Sequence, residues 1–196
     1  VPSEGKSTSA INLAVALGQM DKVLLIDGDM RKPTIAKVLN LPPNSPGLSN
    51  VVAATSTLDD CILHMEDANI DVLTAGLVPP NPLELLSSQK FAELIRSLSE
   101  KYDRIIIDSP PTLLVSDSLI MSKVSHAVLY VIRSDITAYN TARTGVNRLL
   151  AAKAPVIGVI LNKVNMKKAA RYYGTYSGYY AYGDYVYGHA KNKKGD

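Results

Sequence analysis

The chain has 196 residues and a net charge of +3 at pH 7; 46% of its residues are hydrophobic and 20% are charged. This composition is ordinary for a soluble globular protein, and the length suits one domain with a sizeable core. The lone Cys61 excludes an internal disulfide, and the sequence has neither a signal peptide nor an apolar run of roughly 20 residues that would span a membrane. We therefore expect a soluble protein from a reducing compartment.

The charge is distributed unevenly along the chain. Residues 1–162 have a net charge of −2, whereas residues 163–196 carry seven Lys or Arg and two Asp or Glu, a net charge of +5. A basic segment favours an anionic membrane surface or nucleic acid, but dispersed charges also simply keep a segment solvated.

Short apolar runs alternate with amphipathic stretches along most of the chain. Helices are predicted over residues 6–17, 58–65, 82–98, 116–124 and 138–152. Strands are predicted over residues 23–26, 71–74, 105–107, 127–132 and 156–161, and loops over 41–50 and 79–82. This order predicts an α/β fold with a doubly wound, mostly parallel sheet and helices on both faces.

One helix start and the C-terminal region have distinctive sequences. Asn81 can cap a helix, Pro82 suits its first position, and Glu84 stands at the capping-box position. After Val164 the periodicity ends in a Gly/Tyr-rich segment, which predicts a flexible tail. We therefore expect a folded domain over residues 1–165 and a tail over 166–196.

The N-terminal residues supply the second half of a phosphate-binding loop, Gly-x-x-x-x-Gly-Lys-Ser/Thr. Gly5, Lys6 and Ser7 match its end, whereas the first glycine and the preceding apolar strand would fall before residue 1, so we expect a fragment of a chain that continues upstream. In such a loop Lys6 neutralises phosphates, the Ser7 hydroxyl can bind Mg²⁺ and Thr8 reaches the inner phosphate. Alone, this short match is also compatible with an ordinary helix start.

Acidic residues follow two of the predicted buried strands. Asp27 and Asp29 end the first and Asp108 ends the other, where ligands bind in an open parallel sheet. The three carboxylates are suited to hold Mg²⁺ and to polarise an attacking hydroxyl. The alternative is that Asp27 and Asp108 only cap the following turns. Arg31 would either stabilise a transferring phosphate or pair with an acid.

Three segments together resemble the nucleotide motifs of bacterial tyrosine kinases, the cytoplasmic autokinases of capsule and exopolysaccharide export. These segments are residues 2–8, 26–33 and 107–111. The similarity extends through residues 81–86 and 158–163 to the tyrosine-rich end. The family belongs to the P-loop NTPases, as do the ParA/MinD-like ATPases.

The resemblance implies ATP and Mg²⁺ as cofactors and assigns roles to individual residues. It places the nucleotide on Glu4, Gly5, Lys6, Ser7, Thr8, Arg31 and Asn162. It implies Lys6, Asp27, Asp29 and Asp108 as catalytic residues, with Asp27 as the candidate base. Mg²⁺ would be held by Ser7, Asp29 and Asp108. Asn162 resembles a base-contacting asparagine, although asparagines at strand ends also serve as turn formers.

Two positions differ from the family pattern or admit a simpler explanation. Residues 34–40 contain no tyrosine where some family members have a regulatory one, and the family's oligomerisation helix would lie upstream. Asp117 matches a family acid, but capping of the following helix explains it equally well.

The tail has eight tyrosines, and the resemblance implies that they are the phosphoacceptors. They are Tyr172, Tyr173, Tyr176, Tyr179, Tyr180, Tyr182, Tyr185 and Tyr187. Transfer would occur in trans, to neighbouring copies in a ring-like homo-oligomer. The alternatives are an inert Gly/Tyr linker or a nucleic-acid binder that uses Lys167, Lys168 and Arg171, although the modest basic charge leads us to expect no nucleic acid.

The resemblance also implies partners and a location. A membrane-embedded chain-length regulator, fused upstream or separate, would activate the kinase, and a cognate tyrosine phosphatase would reverse the reaction. The chain would act at the cytoplasmic face of the bacterial inner membrane. The competing interpretations of the core are a ParA/MinD-like ATPase that acts as a positioning switch without phosphorylating tyrosine, and a catalytically dead interaction module.

Overall fold

The computed structural model describes residues 3–165. Its helices are α1 Lys6–Gly18, α2 Ile35–Val38, α3 Leu48–Val52, α4 Pro82–Ser87, α5 Gln89–Ser99, α6 Asp117–Ser122 and α7 Tyr139–Ala151. Its strands are β1 Val23–Asp27, β2 Ile62–Met65, β3 Ile70–Leu73, β4 Arg104–Asp108, β5 Val128–Arg133 and β6 Val156–Asn162. The tail of residues 166–196, with its eight tyrosines, lies outside the described residues.

The strands form a mostly parallel arrangement. Four of them make a sheet in the order β2-β3-β1-β4, where β1 is parallel to both β3 and β4 and β2 is antiparallel to β3. β5 and β6 form a second, parallel pair. Residues of β4 and β5 both line a cavity of about 740 Å³. The α/β class predicted from the sequence is confirmed, while the strand expected upstream of residue 1 stays a prediction.

Helices cover both faces of β1, which explains its continuous apolar sequence. Leu24 and Ile26 belong to a core that includes Leu86 of α4, Phe91 of α5 and Met121 of α6. Val23 and Leu25 face the other way, towards a core built with Ile11 of α1 and Ile35 of α2. All four strand residues are at most 1% exposed. Burial of each such side chain stabilises the fold by about 1.5–3 kcal/mol.

The helix predicted over residues 58–65 is wrong, because residues 62–65 form strand β2. Ile62 pairs with Leu73 and Met65 with Ile70 in antiparallel register. Pairing with β3 decides this conformation, and so short an apolar run has no clear period of its own. The loop predicted over 41–50 is also too long, since helix α3 begins at Leu48.

The helix predicted over residues 82–98 is broken at Ser88. Its start is as expected, because the Asn81 side chain accepts a hydrogen bond from the Glu84 amide at 3.4 Å. Ser88 has an extended backbone (φ −72°, ψ 152°), and its hydroxyl accepts the Phe91 amide at 3.3 Å, which starts α5. A serine that caps a new helix therefore interrupts an otherwise continuous apolar pattern.

Within residues 3–165, no helix combines the length and the apolar character needed to cross a membrane.

Candidate nucleotide-binding site

The two acidic strand ends lie side by side. β1 and β4 are paired so that Asp27 stands opposite Asp108, and the Gly28 amide donates to the Asp108 carbonyl at 2.9 Å. A Cβ atom on Gly28 would lie 2.7 Å from that carbonyl oxygen and 2.8 Å from Cε of Met121. The absence of a side chain at Gly28 thus allows the two strand ends to approach this closely.

The phosphate loop leads into α1, which packs against the same two strands, β1 and β4. Gly5 precedes the helix with φ 90° and ψ 27°, a left-handed conformation that glycine adopts without strain. The Ser9 amide closes the first turn on the Gly5 carbonyl at 2.9 Å. The free amides of this helix start and its dipole favour an anion.

Lys6 and Ser7 meet Asp108 at the start of α1. The Ser7 hydroxyl is hydrogen-bonded to the Asp108 carboxylate, and the Lys6 charge acts on the same group. Burial raises the pKa of Asp108, and these two contacts oppose the rise. The Thr34 hydroxyl also donates to Ser7 Oγ at 3.0 Å. Thr34 was not predicted from the sequence, and its only signal is a hydroxyl shortly after an acidic strand end.

Asp27 is fully buried and both of its carboxylate oxygens accept backbone amides. Oδ1 accepts the Asp29 amide at 3.1 Å, and Oδ2 accepts the amides of Thr34 and Ile35 at 3.0 Å each. Burial raises the pKa of Asp27 to about 6, with a smaller contribution from the charge of Asp108, although the three amides act in the opposite direction. Asp27 therefore holds the loop between β1 and α2, as the capping alternative proposed.

Asp29 occupies a more open position than Asp27. Its side chain is half-buried, and Oδ1 accepts the amides of Arg31 at 3.2 Å and Lys32 at 3.0 Å. Its charge acts on Asp108, so the two carboxylates lie near each other. Asp29 and Asp108 together give one partly accessible and one buried carboxylate at the mouth of the site.

Arg31 pairs with an acid, which was one of the two roles considered from the sequence. Its Nε donates to Asp117 Oδ2 at 2.8 Å, and its Nη2 donates to Asp117 Oδ1 at 3.0 Å. This hydrogen bonding raises the pKa of Arg31. Asp117 is the first residue of α6, and its side chain is fully buried against Arg31; the preceding residue, Ser116, makes no side-chain capping bond to the helix. The family acid and the motif arginine thus form one ion pair.

Glu4 and Asn162, which were both expected to bind the nucleotide, contact each other. The Asn162 amide group donates from Nδ2 to the Glu4 backbone carbonyl at 2.9 Å. The Glu4 side chain is 2% exposed, and its Oε1 accepts the Thr137 hydroxyl at 2.9 Å. Thr137 was also missed from the sequence, because nothing in its local pattern indicates a partner 133 positions away. Thr8 is exposed near the start of α1.

The residues present fit a magnesium ion shared with a phosphate ligand. Among the described residues, no three His, Cys, Asp or Glu side chains form a complete metal cage. Mg²⁺ in phosphate sites usually needs only one or two carboxylates, together with phosphate oxygens and water. Ser7, Asp29 and Asp108 supply hard oxygen donors of that kind beside the anion-binding start of α1.

A mostly parallel sheet whose phosphate loop and acidic strand ends meet at one edge defines a P-loop nucleotide-binding domain. A family model described as AAA domain matches residues 3–166. Tyrosine-protein kinase YwqD of Bacillus subtilis is 40% identical over 177 residues, which cover 89% of this chain and 74% of that protein. The chain therefore belongs to the bacterial tyrosine-protein kinase family.

Solved structures agree with this assignment. The VpsO kinase domain superimposes with a TM-score of 0.82 at 45% identity and covers 84% of this chain and 81% of that one. The septum site-determining protein MinD of Pyrococcus horikoshii, complexed with Mg-ADP, has a TM-score of 0.71 at 29% identity and covers 85% and 68%. Some relatives are much longer: the chain spans only 26% of tyrosine-protein kinase wzc of Salmonella typhimurium.

Proposed function

We propose that this chain is a protein-tyrosine autokinase that uses ATP and Mg²⁺ to phosphorylate the tyrosines of its own tail, in trans, on neighbouring copies. The main support is the meeting of Lys6, Ser7 and Asp108 at the end of the acidic strands. The relatives support the type of reaction: YwqD is named a tyrosine-protein kinase, and the VpsO structure is described as a kinase domain.

Each residue of the site has a proposed part in phosphoryl transfer. Lys6 and the amides at the start of α1 bind the phosphates of ATP. The phenol oxygen of a tail tyrosine forms a bond to the γ-phosphorus as the bond from that phosphorus to the β–γ bridging oxygen breaks, which releases ADP. Ser7, Asp29 and Asp108 would hold Mg²⁺, which neutralises charge on the phosphates when it is bound.

Asp27 is the proposed acceptor of the phenol proton. Its pKa of about 6 leaves it ionised at neutral pH, as a general base requires. Because its two oxygens already accept three amides, a phenol would have to replace one of them. Asp29, which is only half-buried, is the second candidate for this role.

The proposed setting is bacterial capsule or exopolysaccharide export. There the chain would act at the cytoplasmic face of the inner membrane, as part of a ring of copies. A membrane-embedded chain-length regulator would activate it, and a cognate tyrosine phosphatase would remove the phosphate groups.

The test of the proposal is phosphotyrosine formation by the natural full-length protein with ATP and Mg²⁺. Lys6→Met should abolish labelling, because it removes the charge that binds the phosphates. Lys90→Met is the matched control, since Lys90 is an exposed residue of α5 and should leave labelling intact. Undiminished phosphotyrosine in the Lys6→Met protein would place the active site elsewhere.

The second candidate function is a nucleotide-dependent positioning switch of the MinD type. The observation that favours it is the similarity to MinD in complex with Mg-ADP. Such a protein would hydrolyse ATP on meeting its partner and would form no phosphotyrosine. Mass spectrometry of the tail after incubation with ATP and Mg²⁺ separates the two functions, because only the kinase adds phosphate to tyrosine.

A further inference from the structure

Glu4, in the phosphate loop, connects the two sheets of the domain. Glu4 leads directly into α1, which packs on β1 and β4 of the four-stranded sheet. Glu4 is hydrogen-bonded instead to Thr137, in the turn after β5, and to Asn162, at the end of β6. The position of the loop therefore depends on anchors outside the sheet that its own helix covers.

The first anchor is the hydroxyl of Thr137, in the turn between β5 and α7. Thr137 Oγ1 accepts the Arg133 amide at 3.0 Å and donates to Glu4 Oε1 at 2.9 Å. The Thr137 amide also donates to the Arg133 carbonyl at 3.0 Å. Because Arg133 binds both the amide and the hydroxyl of Thr137, the hydroxyl is held in an orientation towards Glu4.

The second anchor is Asn162, at the end of the neighbouring strand. Arg133 and Asn162 are paired in the β5–β6 register, and the Ser134 amide donates to the Asn162 carbonyl at 2.9 Å. The Asn162 side chain then binds the Glu4 carbonyl at 2.9 Å. Thr137 thus holds the side chain of Glu4, and Asn162 holds its main chain.

The carboxylate of Glu4 has an electrostatic consequence for a loop that binds phosphate. It is a negative charge next to Gly5, whereas the amides that follow attract anions. A carboxylate free to turn towards bound phosphates would repel them. Thr137 opposes that rotation, since its hydroxyl can donate to the carboxylate only in the present orientation.

We propose that Thr137 is a positioning residue of the phosphate loop, which holds the Glu4 carboxylate away from bound nucleotide and so slows nucleotide release. This inference rests on the proposed nucleotide binding and goes beyond it. It adds a residue of the β5–α7 turn, which lies outside all the nucleotide motifs, to the groups that determine nucleotide affinity.

The experiment measures release of a fluorescent ADP, mant-ADP, with Mg²⁺ from the natural full-length protein by stopped flow. Thr137→Val keeps the shape of the side chain but removes the hydroxyl, and we expect mant-ADP to leave about tenfold faster, as for a lost hydrogen bond to a charged group. Thr137→Ser restores the hydroxyl and should restore the slow release. Thr144→Val is the matched control, because the Thr144 hydroxyl only donates to the Asn140 carbonyl within α7.

A second variant tests the electrostatic cause. Glu4→Gln keeps an oxygen that can accept the Thr137 hydroxyl but has no charge. In that background Thr137→Val should accelerate release by only about two- to fivefold, since only a neutral hydrogen bond is lost.

Several outcomes would overturn the inference. Equal release rates for the wild type and Thr137→Val would remove Thr137 from nucleotide binding, and a full tenfold effect in the Glu4→Gln background would reject the role of charge. If Thr137→Val does not fold, fast release by the folded Thr137→Ser protein would be equally contrary. A wild type that binds no mant-ADP would overturn the proposed function together with this inference, so the two failures are distinct.

Discussion

Arg31 and Asp117, 86 positions apart in the chain, are joined by two parallel hydrogen bonds of 2.8 and 3.0 Å. Asp117 is fully buried, whereas the Arg31 side chain is 38% exposed. The pair links the loop after β1 to the start of α6. Arg31 therefore fixes the position of the loop that carries Asp29. Planar, two-pronged pairing of this kind is specific to arginine.

Arg31→Ala should destabilise the domain by about 2 kcal/mol, because it leaves the buried Asp117 carboxylate without its partner. Arg104→Ala is the matched control. Arg104 is 58% exposed and its pair with Asp21 is at the surface, so its loss should cost less than about 1 kcal/mol. Urea unfolding at pH 7 measures both. Equal losses would mean that the Arg31 pair contributes no more than a surface contact.

The buried Asp27 predicts a dependence of stability on pH. Its pKa is about 6 in the fold, against an ordinary value of 3.8 for an aspartate carboxyl, so the folded state holds the proton more tightly. The resulting stabilisation is complete below pH 3.8 and is lost as the pH rises through about 6, a change of at most about 3 kcal/mol.

Asp27→Asn removes this titration and also the two amide bonds to Oδ2. The variant should therefore lie further below the wild type at pH 4 than at pH 7. Urea unfolding of both nucleotide-free proteins across that range provides the measurement. A difference that grows with pH would contradict the raised pKa.

Asp108→Asn should weaken nucleotide binding only when Mg²⁺ is present. The substitution removes a charge proposed to hold the ion, but it leaves Lys6 and the start of α1 in place. We expect at least a tenfold loss of affinity for ATP with Mg²⁺, about 1.4 kcal/mol, and little change in EDTA. Titration calorimetry under both conditions tests this, and an equal loss in EDTA would argue against the metal role.

Replacement of all eight tail tyrosines by phenylalanine should remove most phosphotyrosine while ATP affinity is unchanged, because phenylalanine keeps the ring and loses only the acceptor oxygen. Labelling with ATP and mass spectrometry give the outcome. Persistent labelling would point to Tyr102, Tyr130 or Tyr139, of which only Tyr139 is exposed. That result would reject the tail as the principal acceptor.

Phosphorylation of the tail should also dissociate assembled copies. Each phosphotyrosine adds about −1.5 to −2 charges, and several of them would outweigh the +5 of residues 163–196. Repulsion between neighbouring tails would then favour separate copies, most of all at low ionic strength. Light scattering of phosphorylated and dephosphorylated protein at low salt tests this, and unchanged association would exclude the repulsion mechanism.

The sequence predicted the site best where chemistry and periodicity coincide. Asp27 and Asp108 end apolar runs, and strands that are buried on both faces bring such ends together. Contacts that depend on distant parts of the chain were not predictable. α2 begins at Ile35 because Asp27, eight positions earlier, accepts the Ile35 amide, and β2 is a strand because β3 pairs with it. Thr34 and Thr137 were missed for the same reason.

Gly28 sets how closely the ends of β1 and β4 approach each other. A single added methyl group there would press on the main chain of β4 and on Met121 and so wedge the two carboxylate-bearing strands apart. A substitution at Gly28 would thus change the distance between the carboxylates proposed to hold Mg²⁺, while every charge and every donor oxygen remains.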